Sequence, residues 1–198
     1  IPQIRVNLAH SPSNFTARSF GIETILDTKG PRGSLRRTAN QEDIACITYE
    51  GGGSDEADPE SVQVAMYGIL NVLRSLRMIP GYPSRPRFRL LATGSDWIRS
   101  DQGGLLDVLA PAGSYVEEGE IVATVTDPYD PGTSHDIISP KQGLLISTAT
   151  SPFVTSGTPI GNLLPVKRGV NTLMDRLDEE GCLIISGSDG DPPWRDDD

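Results

Sequence analysis

The chain has 198 residues and a formal charge of −10 at pH 7, room for one large or two small domains. The acid surplus argues against the basic face that nucleic-acid binding needs. The sequence contains no run of about 18 apolar residues to cross a membrane and no basic-then-apolar leader, so a cytoplasmic protein is expected. It begins at Ile1 and not at Met, as expected of a processed product, an artificially trimmed chain or a piece of something longer.

The charge is uneven. From Val170 onward nine acids face two bases, Arg176 and Arg195, so the body is nearly balanced and the tail is acidic. Lys29, Lys141 and Lys167 are the only lysines, and arginine carries most of the positive charge. Cys46 and Cys182 lack metal-ligand spacing and are expected to be reduced and structural.

Taken in order, Ile4, Val6 and Leu8 alternate in a short extended segment, and Ser11 to Asn14 reads as a turn. Phe15 to Phe20 suits a short helix stopped by Gly21, and Ile22 to Leu26 suits a strand. Ser34 is a good N-cap for a helix from Leu35 to about Glu42. Ile44 to Tyr49 reads as a buried strand that ends in Glu50 and runs into the turn Gly51-Gly52-Gly53. Glu50 thus sits where a strand stops and a loop begins, a place where ligands and chemistry collect in α/β folds. Asp58-Pro59-Glu60 opens a helix, and Val62, Ala65, Met66, Ile69, Leu70, Leu73 and Leu76 give it an amphipathic face over about five turns. Strand, helix, strand, helix is α/β grammar.

Residues 80–87, rich in proline and glycine, read as a linker between domains. Beyond it, Phe88 to Leu91 and Asp96 to Arg99 are strand candidates, followed by an internal repeat. Gly104-Leu105-Leu106 returns as Gly143-Leu144-Leu145, and Val116 with Gly119 returns as Val154 with Gly157. Two such halves imply a small β barrel or sandwich with a pseudo-two-fold axis. Val170 to Leu177 is a helix candidate and Cys182 to Ile185 a strand candidate. Gly187 to Asp198 is polar and expected to be disordered.

The repeat, GGLLDVLAPAGSYVEEGEIVATVTD and then IISPKQGLLISTATSPFVTSGTPIGNL, resembles the biotinyl/lipoyl-like barrel. Carrier domains of that kind present a modified lysine on the hairpin between halves. Here that hairpin, Asp127 to Asp136, has no lysine, and Lys141 stands at the start of the second half. An accessory role follows. The segments IPQIRVNL, GSLRRTAN, ITYEGGG and GILNVLRSLRMI resemble, in order and spacing, the succinylglutamate desuccinylase/aspartoacylase family of zinc-dependent deacylases. The Glu-Gly-Gly-Gly version looks closest to the branch with the N-acetyl-diaminobutyrate deacetylases of ectoine breakdown.

The resemblance covers residues 1 to about 166. It implies the C-terminal part of a carboxypeptidase-like α/β/α domain over residues 1–79 and a small all-β barrel or sandwich over 88–168, on either side of the linker at 80–87 and ahead of the acidic tail at 169–198. It makes Glu50 the general acid/base and Arg36 or Arg37 the holder of a substrate carboxylate, which suits a bidentate guanidinium. The family's zinc is held by a His-x-x-Glu pair and a third His, all earlier than the segment matching Ile1. This chain has only His10, read as structural or solvated, and His135, expected to be exposed in the barrel hairpin. Zinc is therefore expected in the full-length enzyme, with none in this chain alone.

The expected activity is hydrolysis of the amide of an N-acyl amino acid by the full-length form. The alternative is a non-catalytic β module for oligomerisation or for covering an active site. Either way, an open sheet edge and an apolar face predict association, with itself or with the missing N-terminal segment.

Overall fold

The structure is a computed structural model, and it describes residues 1–54, 57–166 and 170–184. Among these, the chain forms two compact units, residues 1–94 and residues 95–184. The first is mixed α/β. Its strands β1 (Gln3–Val6), β2 (Thr24–Asp27), β3 (Thr48–Glu50) and β4 (Leu90–Ala92) form a sheet in the order β3-β1-β2-β4. β1, β2 and β4 run parallel, whereas β3 is antiparallel to β1. Helices α1 (Ser11–Phe20), α2 (Leu35–Gln41) and α3 (Pro59–Ser75) connect them.

Period-two alternation explains β1. Ile4 and Val6 are fully buried with Ala17, Phe20, Ile22 and Ile25 in one core, and Gln3 and Arg5 point to the opposite face. α1 and α3 pack on each other at Gly68, where an added Cβ would lie 2.0 Å from the Phe20 ring. That ring stacks on Tyr49, with centroids 5.5 Å apart, and the Tyr49 hydroxyl donates to the Ser61 carbonyl at 2.7 Å. Asp58 caps α3, accepting from Ser61 N at 3.1 Å and Ser61 Oγ at 2.5 Å, with Pro59 in the first turn.

Four expectations need correction in this unit. The turn expected at Ser11 to Asn14 is the first turn of α1, which His10 caps and whose Pro12 costs no hydrogen bond there. The strand expected from Ile44 is extended only over Thr48–Glu50, and it is half-buried. Asp43 takes the left-handed region at φ 56° and Ile44 N donates to Ala39 O, so the chain turns off α2 and leaves Ile44 59% exposed. Because β3 is antiparallel, Glu50 pairs with Gln3 at the amino end of β1, not beside the carboxyl ends of the parallel strands. Finally, Leu90–Ala92 joins this sheet beside β2, although residues from 88 onward were expected in the β-rich part.

The second unit contains β5 (Asp96–Arg99), β6 (Gly104–Val108), β7 (Tyr115–Val116), β8 (Ile121–Asp127), β9 (Asp130–Ile138), β10 (Gly143–Thr148), β11 (Phe153–Val154), β12 (Pro159–Pro165) and a short helix α4 (Val170–Met174). Two antiparallel sheets form, β5-β12-β10-β7 and β11-β6-β8-β9. They remain separate ladders around a common core that includes Ile98, Val125, Leu145, Val154 and Leu163. Of the barrel and the sandwich that the repeat allows, no closed barrel forms, and the strands stand as two sheets.

The repeat is legible in the pairing. Val116 lies opposite Gly143 and Val154 opposite Gly104, so each half lends its valine strand to the other half's Gly-Leu-Leu strand. A Cβ at Gly104 would meet Thr126 O at 2.4 Å, and one at Gly143 would meet Leu164 O at 2.3 Å. Gly119 and Gly157 take matching positive φ angles, 84° and 86°.

The hairpin expected over 127–136 is mostly strand: β8 and β9 leave only Pro128 and Tyr129 between them. Residues 170–184, expected in a separate tail, belong to this unit. Leu173 and Leu183 are buried and Tyr115 N donates to Gly181 O. In place of the strand expected from Cys182, single bridges pair Cys182 with Ser114 and Leu183 with Leu177. The polar stretch from Gly187 lies outside the described residues.

Candidate active site

Glu50 ends the edge strand β3, and its side chain is 42% exposed and so reachable from solvent. Register places Gln3 directly opposite and Arg5 two residues along the same face of β1. Arg5 Nε lies 2.8 Å from Glu50 Oε2, and Gln3 Nε2 donates to the same oxygen at 3.5 Å. One carboxylate oxygen is thus held from below by the neighbouring strand. Tyr49, pointing the other way, anchors β3 in the core through Phe20 and Ser61. Burial pushes its phenol pKa up, against the hydrogen bond to Ser61, so it stays neutral.

The glycine turn has different reasons at each position. An added Cβ at Gly51 would sit 2.5 Å from the Tyr49 hydroxyl, and Gly52 has φ 82°, whereas Gly53 faces open space. The first two glycines let the chain fold back over the Tyr49 ring immediately after the carboxylate.

The two arginines proposed from sequence part company in the structure. Arg36, on α2, is buried at 7% exposure and lies against Gly30, where a Cβ would come 3.1 Å from Nη2. Its Nε and Nη1 have no hydrogen-bond partner among the described residues. Burial lowers its pKa and the charge of Arg5 adds to this, whereas Glu50 and Cys46 act against it. Arg36, Arg5 and Glu50 therefore lie within electrostatic reach of one another. Arg37 is half-buried, and its Nη1 donates to Gly30 O at 3.4 Å.

A buried guanidinium with unpaired nitrogens is costly unless an anion completes it. A carboxylate matches its fork. The sequence reading missed Arg5 and Gln3. Their signal was the polar side of the alternation Gln3-Ile4-Arg5-Val6, beside a strand ending in a carboxylate.

The histidines are elsewhere. His10 Nδ1 accepts from Ser13 N and lies 2.8 Å from Ser13 Oγ, and its Nε2 lies 3.0 Å from Asp43. It closes the start of α1. His135 is exposed on β9 of the second unit, and Lys141 Nζ pairs with Asp96 at 2.7 Å. Among the described residues no three His, Cys, Asp or Glu side chains gather to hold a metal ion. Zinc does not fit the described residues of this chain.

No protein-family model and no curated protein matches the sequence. Solved structures match its fold. The apo ectoine utilization protein EutE (DoeB) from Ruegeria pomeroyi superposes with a TM-score of 0.75 at 19% identity, over 84% of this chain and 55% of that one. The succinylglutamate desuccinylase/aspartoacylase from Rhodobacter sphaeroides gives 0.72 at 20% identity, over 82% and 53%. An aspartoacylase family protein from Mesorhizobium loti gives 0.65 at 19% identity, over 83% and 58%. The fold is that of succinylglutamate desuccinylase/aspartoacylase structures. This chain spans a little over half the length of each. At such identities the likeness carries the fold and not the activity.

Proposed function

We propose that this chain is the C-terminal part of a deacylase that hydrolyses the amide bond of an N-acyl amino acid. The observation that carries the reading is the placement of a reachable carboxylate, Glu50, within electrostatic reach of a buried, incompletely paired guanidinium, Arg36. Arg36 takes the carboxylate of the amino acid half of the substrate. Arg37, engaged by Gly30 O, has no part in it. Arg5 and Gln3 steady Glu50, whose carboxylate takes a proton from the attacking water and returns it to the leaving amine. The fold shared with the ectoine utilization protein and with succinylglutamate desuccinylase/aspartoacylase structures supports this direction.

Zinc belongs, in this reading, to the whole enzyme and is held by residues outside this chain. The β-rich second unit is an accessory part, and Lys141, paired with Asp96, carries no cofactor. The edge strands β3 and β4, unpaired on their outer sides among the described residues, and the exposed α3 side chains Val62, Met66 and Ile69 favour association, with the rest of the enzyme or between copies.

The test is an assay of the complete protein on a panel of N-acyl amino acids, with metal analysis of the same sample. Amine release with about one zinc per subunit is expected. A metal-free complete protein with no turnover on any member would overturn the reading in favour of a non-catalytic module.

A further inference from the structure

A second charged feature of the first unit shares no lining residue with the Glu50 site. A cleft of about 790 Å³ runs along the ends of α1 and α3 and the segment that follows α3, and it is lined by Arg18, Arg74, Arg77, Arg85 and Arg89. Among the described residues no acid lines it, although the chain as a whole carries −10. Five guanidinium groups round one cleft repel one another, and this is felt at Arg89. Its pKa is lowered first by burial and then by Arg18 and Arg85, with Glu23 acting in the other direction.

The cluster is also built in part. Arg89 Nη2 donates to the Arg18 carbonyl at the end of α1, and the Arg74 side chain rests on Gly81, where a Cβ would come 3.1 Å from its Nε. The buried Nε atoms of Arg74 and Arg89 have no hydrogen-bond partner among the described residues. Buried polar groups left so are rare and call for a partner, which an ion or a water can supply. Planar guanidinium forks match phosphate oxygens in pairs. Beside them the cleft is lined by Phe15 and Tyr82, 51% and 94% exposed, aromatic side chains that a flat group can reach. Its volume suits a ligand of nucleotide size.

We infer that this cleft binds a phosphate-bearing small molecule with a flat apolar body, its phosphates on the arginines and its body against Phe15 and Tyr82. The site is separate from the deacylase reading and does not depend on it.

Isothermal titration of the full chain with ATP and with inorganic pyrophosphate, at low salt, tests this. ATP is expected to saturate one site and to weaken as salt is raised. Arg85→Gln, at an exposed position, and Arg74→Gln are each expected to weaken it about tenfold or more. Arg32→Gln, away from the cleft, is expected to leave it unchanged. Pyrophosphate is expected to bind about tenfold more weakly than ATP, for want of stacking. No saturation by either compound at millimolar concentration, or equal ATP affinity in both cleft variants and the unaltered protein, would overturn the site. Pyrophosphate binding as tightly as ATP would overturn the flat-bodied ligand.

Discussion

Gly68 is the point at which sequence, packing and the candidate site meet. Gly68→Ala adds one methyl to a helix interior, which by intrinsic propensity stabilises α3 by about 1 kcal/mol. Against this, the new carbon lies 2.0 Å from Phe20 Cε1 and 2.1 Å from Cζ, well short of the 3.4 Å at which ordinary contact begins. Phe20 cannot swing aside freely. It is 5% exposed and its other face is stacked on Tyr49, so either the ring or α3 must shift by more than an ångström. Overpacking of this kind costs roughly 1–3 kcal/mol and sometimes more. The net expectation is a loss of up to about 2 kcal/mol for Gly68→Ala. In a Phe20→Ala background the clash is gone and the same change is expected to gain about 1 kcal/mol. Urea unfolding followed by helical circular dichroism on the four proteins of this cycle gives the coupling, expected at about 1–3 kcal/mol. A Gly68→Ala protein as stable as the original, with no coupling to Phe20, would refute the close approach of α1 and α3.

Other expectations follow from single contacts. Asp58→Ala removes the cap of α3 and is expected to cost about 1 kcal/mol, read as a lower urea midpoint. The Asp58 carboxyl is held below its usual pKa first by the Ser61 hydroxyl and then by the Ser61 and Glu60 amides. Its contribution is therefore complete above the ordinary aspartate range and lost as pH falls through the lower folded value. Acid titration of the unaltered protein and of Asp58→Asn should differ only there. Gly104→Ala and Gly143→Ala meet backbone carbonyls at 2.4 and 2.3 Å, so each is expected to cost about 2 kcal/mol or more, with similar midpoints by thermal melting. In the complete protein, Arg36→Gln is expected to raise KM for an N-acyl amino acid at least about tenfold, and Arg37→Gln to leave it nearly unchanged. Light scattering at high concentration is expected to show association, and a strict monomer would contradict the role given to the open sheet edges.

Much of the first unit was legible because local and tertiary preferences agree there. Asp58-Pro59 and Ser34 announce helix starts, and Gly21, left-handed at φ 88°, ends α1. Strand direction was not legible. Nothing in Thr48-Tyr49-Glu50 says that β3 runs against β1, yet that pairing sets Glu50 beside Gln3 and Arg5. The extent of β3 was misread because Ile44 to Ile47 looks like a strand interior, whereas the turn at Asp43 leaves Ile44 exposed. In the second unit the repeat was visible as spacing, but its exchange of valine strands is a long-range pairing that spacing cannot state. The choice between Arg36 and Arg37, adjacent in sequence, rests on which side of a two-turn helix faces inward. Seven residues are too few for a hydrophobic period to settle that.

Glu50 carries the proposed chemistry. The direct measurement is the kcat of the complete protein carrying Glu50→Gln, alongside its affinity for an N-acyl amino acid. Loss of a positioned proton-transfer group predicts a fall in kcat of about 10²–10⁴-fold with substrate affinity largely retained. A Glu50→Gln enzyme that turns over at the original rate would contradict the assignment of the proton transfer to this carboxylate.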